Sequence, residues 1–282
     1  MFFESEVRVA AEVTLFVAET RGPVEPPLLV IHGGPDWDHS YLRDPLDRLA
    51  GQRRVLLPDL RGCGRSTWGL PDDQYTWDLA VADLLALLDV KEIPHVDVLG
   101  FSTGGLIAQR FTLTAPERVR RLVVASSSVA PLPPDAFAGW EERDVVQAAG
   151  AAVRAREDLS GPDATRADAV TSVAANVWHP AKLPEYYRIL DAVRFSGEWS
   201  RPFEAGTLPP VRVPDAEQRL AELGLPILLL HGRYDMTFPA ELADLVASRN
   251  PAARAVVLDD ASHMAHIDQP DAWLEALVQF LS

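Results

Sequence analysis

A single cysteine, Cys63, stands in 282 residues, so no intramolecular disulfide can form. A reducing compartment suits such a chain. No apolar run approaches the roughly 20 residues that a membrane-spanning helix needs. The opening stretch, MFFESEVRVA, has neither the basic segment nor the apolar core of a secretion signal, and the expected location is the cytoplasm. Positive charge is scarce: 26 Lys and Arg against 41 Asp and Glu leave a formal net charge of −15, with no basic run or stripe. That field repels phosphate backbones and excludes nucleic acid as a partner. Internal repeats and low-complexity tracts are absent as well.

What is present is an ordinary globular balance, 48% hydrophobic and 24% charged, which excludes intrinsic disorder. At this length roughly 75% of the unfolded chain's surface can be buried on folding. A core can therefore form without disulfide or metal staples. Short Val/Ile/Leu runs at residues 13–18, 28–31, 55–57, 96–99, 122–125, 227–230 and 255–258 alternate with helix-like segments at 77–88, 105–113, 240–248 and 272–281. Several of the runs are apolar without alternation, as in strands covered on both faces. The expected class is α/β, a doubly wound, mostly parallel sheet flanked by helices.

The alternation breaks after residue 130. Pro131-Leu132-Pro133-Pro134, Pro209-Pro210 and Pro214 punctuate a stretch with Ala-rich helical segments near 145–156 and 164–177 and a scatter of aromatic residues. Residues 131–215 are expected to form a mostly helical cap over the carboxyl edge of the sheet. Residues 1–130 and 216–282 then make the core.

Gly100-Phe101-Ser102-Thr103-Gly104 directly follows the run at 96–99 and precedes a helix. A G-x-S-x-G sequence in a strand–turn–helix setting is the pattern of a nucleophile elbow, whose glycines make room for a very tight turn. The turn lifts the serine hydroxyl above the sheet, and the helix start offers free N–H groups to developing negative charge. A serine hydroxyl is a poor nucleophile without a base and an acid to orient that base. In this setting they follow in the order Ser, Asp, His at later strand ends. Asp235 lies just past the run at 227–230 and His263 just past that at 255–258. Among the other histidines, His266 is the nearest competitor but falls three residues later, and His32 and His231 precede glycine at strand ends, where loop hydrogen bonding is the expected role. His39, His95 and His179 lack the strand-end placement. Two backbone N–H donors are needed for an oxyanion. Thr103, after the nucleophile, and Gly34, in His32-Gly33-Gly34-Pro35, are the expected pair. No metal and no organic cofactor are implied.

Together these residues resemble the α/β-hydrolase family over nearly the whole chain apart from the cap, which the resemblance places after the sixth strand. Asp59-Leu60-Arg61-Gly62-Cys63-Gly64-Arg65-Ser66 is similar to the D-x-R-G-x-G-x-S loop of cap-bearing members, and Cys63 is implied to be a loop residue without a catalytic role. The stretch from Ser262-His263 to Asp268-Gln269-Pro270 is similar to the family's histidine segment. Within the family, His32-Gly33-Gly34-Pro35 and the Arg-Gly-Cys-Gly-Arg-Ser stretch most resemble proline iminopeptidases, which remove an N-terminal proline from peptides. Three departures stand out: Asp36 where those enzymes usually have glycine, Phe101 and Thr103 around the nucleophile in place of Gly and Trp, and a shorter cap. Their caps supply glutamates that bind the substrate's amino group; here Glu141, Glu142, Glu185, Glu198 and Glu204 are available.

The resemblance implies a serine hydrolase that cleaves an amide or ester of a small molecule or short peptide through an acyl-enzyme. Proline-iminopeptidase-like action is the first reading and carboxylesterase action the alternative. Trp37, Phe101, Trp178, Tyr186 and Trp199 are expected to line the substrate pocket.

Overall fold

Successive side chains of a strand point to opposite faces, so a strand covered on both faces is apolar without interruption. The central strands obey this. Leu29, Val98, Leu122 and Leu229 belong to one cluster of 35 buried residues, and their neighbours Leu28, Leu99, Val123 and Leu230 to another of 31. The two clusters are nearly equal in size, so neither face is left to solvent.

The computed structural model describes residues 1–282 and contains one eight-stranded sheet. Its strands are β1 (Phe3–Arg8), β2 (Thr14–Glu19), β3 (Val24–Ile31), β4 (Arg53–Pro58), β5 (Val96–Phe101), β6 (Val119–Ala125), β7 (Ile227–Gly232) and β8 (Ala253–Leu258). They lie in the order β1-β2-β4-β3-β5-β6-β7-β8. The pairs β1–β2 and β2–β4 are antiparallel and the others parallel. Seven strands match the apolar runs of the sequence; β1 has no such run. Only Val7 of its six residues is buried, as befits a polar edge strand.

Helices α1 (Trp77–Val90) and α2 (Thr103–Thr114) connect the central strands, and α8 (Glu241–Arg249) and α9 (Pro270–Leu281) follow β7 and β8. The side chain of Thr76 caps α1 by accepting from the Leu79 N–H at 3.2 Å. Between β6 and β7 there is no strand. This stretch holds α3 (Glu141–Arg154), α4 (Gly161–Thr171), the single turn Val173–Asn176, α5 (Leu183–Ala192), α6 (Ser200–Glu204) and α7 (Ala216–Leu223).

From β3 the chain steps to β4 on one side and then crosses back to β5 on the other. In an open parallel sheet such a reversal opens a crevice at the carboxyl ends of the two strands. Ile31 pairs with Gly100 there, which brings the loop after β3 beside the turn after β5.

At the opposite end of the sheet, Arg53 donates to Asp97 Oδ2 at 2.6 Å and to the Leu281 carbonyl at 2.9 Å, tying β4, β5 and α9 together. Both side chains are buried. Breaking a buried pair leaves a charge without a partner. Asp97→Asn is therefore expected to lower unfolding stability by about 3 kcal/mol, measured by guanidinium denaturation.

A second expectation concerns acid. His266 is buried against Phe101 and Trp273, donates from Nε2 to the Tyr41 carbonyl at 3.1 Å, and has no partner at Nδ1. Protonation would bury a second N–H without an acceptor, and burial pulls its pKa from 6.5 down to about 4. The unfolded chain thus takes up this proton at higher pH than the folded one. The stabilisation is complete above pH 6.5 and is lost as pH falls toward 4, by up to about 3 kcal/mol. Unfolding midpoints measured across that window should slope less steeply for His266→Gln than for the parent chain.

Candidate active site

Ser102 sits between β5 and α2 with φ 55° and ψ −125°, a backbone conformation that few non-glycine residues adopt. Its N–H donates to the Ala125 carbonyl at 2.9 Å and its carbonyl accepts from Gly105 N–H at 2.8 Å. The flanking glycines are required by space. A Cβ at Gly100 would lie 2.3 Å from the Gly104 carbonyl oxygen, and one at Gly104 would lie 2.2 Å from the Ile31 carbonyl oxygen. The turn is closed so tightly that only hydrogen fits at these two positions.

Ser102 Oγ lies 3.0 Å from His263 Nε2, and His263 Nδ1 lies 2.9 Å from Asp235 Oδ2. Asp235 and His263 stand in the loops after β7 and β8, as expected from the sequence. The other Asp235 oxygen accepts the N–H groups of Thr237 and Phe238 at 2.7 and 2.9 Å. Burial alone would raise the Asp235 pKa. Electrostatic attraction to His263 and hydrogen bonds from His231 and His263 outweigh it and hold the carboxyl well below the usual carboxylate range. An ionised acid so held fixes His263 with its proton on Nδ1 and its Nε2 lone pair toward the serine.

Three other histidines are engaged in hydrogen bonds of their own. His32 Nε2 accepts from Leu60 N–H at 3.0 Å, so its Nδ1–H donates to the Gly33 carbonyl at 2.8 Å. His231 Nε2 donates to the Phe238 carbonyl at 3.0 Å. Nδ1 of His39 contacts Asp59 at 2.6 Å.

The loop after β3 approaches Ser102 closely: a Cβ on Gly33 would lie 2.8 Å from Ser102 Cβ. Gly34 has φ +114°, within reach of glycine alone. Gly33 N–H donates to Tyr41 Oη at 2.7 Å, and Thr103 Oγ1 donates to the Gly34 carbonyl at 2.7 Å. The N–H groups of Gly34 and Thr103 carry no intramolecular hydrogen bond. Sequence reasoning singled out these two amides but missed Tyr41 and the Thr103 hydroxyl. The only available signal was a polar side chain directly after Ser102.

The five aromatic residues expected in the pocket divide. Phe101 packs 5.3 Å from the His263 ring but is itself buried, and Trp37 is half-buried, edge-on to Tyr41 and Phe195. Trp178 stacks on Tyr234 at 3.7 Å and borders a groove of about 400 Å³ with Trp140, Met236 and Glu142. Tyr186 and Trp199 depart from the expectation. Tyr186 is wholly buried with its hydroxyl bonded to Asn176, and Trp199 stacks on Trp77 at 4.5 Å while donating to the Arg61 carbonyl. Their rings fill interior space that no ligand can share.

Two of the five candidate glutamates between residues 131 and 215 have defined partners. Glu198 accepts from Gly69 N–H and Tyr75 Oη and pairs with Arg201 at 2.8 Å. Glu185 pairs with Lys182 at 2.9 Å. Glu141, Glu142 and Glu204 are exposed.

A family model described as the alpha/beta hydrolase fold matches residues 26–270. A proline iminopeptidase of Levilactobacillus brevis is 29% identical, over 94% of this chain and 91% of that one. A pimeloyl-[acyl-carrier protein] methyl ester esterase of Yersinia enterocolitica is 28% identical, over 83% and 85%. The crystal structure of a hydrolase from Pseudomonas aeruginosa PA01 superposes with a TM-score of 0.74 at 28% identity, covering 99% of this chain and 98% of that one. The matched span takes in the β3 loop, the elbow at Ser102 and the loops of Asp235 and His263, and the chain belongs to the α/β-hydrolase family.

Proposed function

We propose that this enzyme hydrolyses small carboxylic esters by a two-step acyl-enzyme route, with Ser102 as nucleophile, His263 as general base and acid, and Asp235 as its orienting partner. The observation that carries the reading is the unbroken line Asp235–His263–Ser102, with contacts of 2.9 and 3.0 Å. As Ser102 Oγ attacks the substrate carbonyl carbon, His263 Nε2 takes its proton and the carbonyl oxygen becomes an oxyanion. The free N–H groups of Gly34 and Thr103 receive that charge. His263 then returns the proton to the leaving oxygen as the carbon–oxygen bond breaks. Water, activated by the same imidazole, releases the acid and restores Ser102.

The covering role belongs to residues 131–215, the proposed cap. Ser102 is 9% exposed and His263 5%, so the reacting groups are shielded from bulk water. In such surroundings preorganised donors act more strongly than in water.

The ester preference rests on the carboxylates. An aminopeptidase must hold a substrate ammonium, for which a buried carboxylate near the serine would serve. Glu198 is fully engaged by Gly69, Tyr75 and Arg201, and Glu185 by Lys182. Of the buried aspartates near the site, Asp38 accepts from Ser40 and Arg194, and Asp268 from Trp178, His179 and Ser262. What lies beside the site instead is aromatic: half-buried Trp37 against Gly34, with buried Phe101 packed on His263. Such walls suit an apolar acyl or alcohol group. The aminopeptidase reading is favoured by one observation, the likeness to a proline iminopeptidase over 94% of the chain.

Ser102→Ala is expected to reduce kcat toward p-nitrophenyl butyrate by about 10,000-fold or more while the protein remains folded by circular dichroism. Full turnover by that variant contradicts the assignment. Comparison of p-nitrophenyl acetate and butyrate with proline β-naphthylamide separates the two substrate readings. The ester reading expects kcat/KM for an ester to exceed that for the amide by at least about tenfold, a difference of about 1.4 kcal/mol in transition-state binding. Efficient amide cleavage that depends on a free amine overturns it.

A further inference from the structure

Asp36 lies two residues beyond Gly34, with φ 72° in the left-handed region. A glycine would adopt that backbone at lower cost, so the carboxylate needs its own explanation. The side chain is buried and accepts four hydrogen bonds from one stretch of chain: Ser196 Oγ at 2.7 Å and Trp199 N–H at 2.9 Å on Oδ1, Ser200 N–H at 3.0 Å and Ser200 Oγ at 2.7 Å on Oδ2. The Asp36 carbonyl adds a fifth, from Ser196 N–H at 2.8 Å. Trp199 and Ser200 open α6, so the carboxylate satisfies N–H groups that a helix start leaves without partners.

From its other side, the same loop is held by the core. His32 donates to the Gly33 carbonyl, Tyr41 accepts from Gly33 N–H, and Thr103 Oγ1 donates to the Gly34 carbonyl. The Gly34 amide is thus clamped between the elbow and residues 196–200, while its own N–H stays free.

We propose that Asp36 is a positioning residue that makes the oxyanion donor geometry depend on the docking of residues 196–200. The inference rests on the serine-hydrolase reading above and extends it. Ser102 and His263 are little exposed, and residues 196–200 belong to the segment proposed to cover them. Movement of residues 196–200 releases Asp36 and loosens Gly34. Closure over a substrate restores both, so the transition-state donors are aligned in the closed state alone.

The test uses p-nitrophenyl butyrate turnover together with inhibition by an alkyl trifluoromethyl ketone, whose adduct with Ser102 places an oxyanion where the intermediate's would lie. Loss of one oxyanion donor costs about 100- to 1,000-fold in kcat, and a misplaced donor is expected to cost less, about 10- to 100-fold. Asp36→Ala should show that loss in kcat with KM changed less than about threefold, and its ketone inhibition constant should rise in proportion to the fall in kcat/KM. Asp36→Asn, which keeps one acceptor oxygen, should fall between it and the parent. Asp97→Asn, destabilised far from the site, should keep its kcat and so separate positioning from general stability. Where Asp36→Ala does not fold, the double variant Ser196→Ala/Ser200→Ala decides, since it keeps Asp36 and removes only two hydroxyl donors; a kcat loss of about tenfold is expected. An active parent whose Asp36 and serine variants keep full kcat, or lose only KM, overturns this proposal alone. A parent with neither turnover nor ketone inhibition overturns the hydrolase reading with it.

Discussion

The hydrogen bond between Ser102 Oγ and His263 Nε2 joins residues 161 positions apart, and the fold is arranged so that both ends stay in place. One end rests on a backbone turn in which glycine at 100 and 104 is dictated by atoms closer than 2.5 Å to any added carbon. The other rests on Asp235, which is held by the Thr237 and Phe238 N–H groups and meets His263 Nδ1 at 2.9 Å. Neither end would hold without the parallel sheet. Its apolar strands, covered on both faces, bring three loop ends to one rim, and the reversal between β3 and β5 opens the crevice into which they project.

Much of this was legible in the sequence because its physics is local. Uninterrupted Val/Ile/Leu runs identify strands buried on both faces, and seven of eight strands follow from them. The eighth, β1, is a polar edge strand whose pairing with β2 is set by tertiary context. The elbow is legible because a tight turn leaves a pattern of glycines around one serine. Asp235 and His263 follow from the same logic of strand ends, and the loop roles of His32 and His231 follow from the glycine after each.

The substrate side was far less legible, and the reason is geometric. An aromatic residue in a helical segment carries no mark of whether it faces a cavity or a neighbour. Trp199 lies against Trp77 and Tyr186 is sealed in the interior, whereas Trp37 is half-buried beside Gly34 and Phe101 packs on His263. Glu198 illustrates the same point for charge, since its partners Gly69 and Tyr75 come from a loop more than a hundred residues away. Asp36 was conspicuous in sequence only as a departure from glycine. Its meaning rests on five hydrogen bonds to a segment about 160 residues downstream, contacts that no local pattern encodes.

The central claim is that Ser102 is a nucleophile activated by His263. A fluorophosphonate probe tests it most directly, because it forms a covalent bond only with an activated serine, and peptide mass spectrometry locates the bond. The account predicts a single adduct on Ser102 that is lost or greatly slowed in His263→Ala. An adduct on another residue, no adduct at all, or labelling of Ser102 at an unchanged rate without His263 would contradict it.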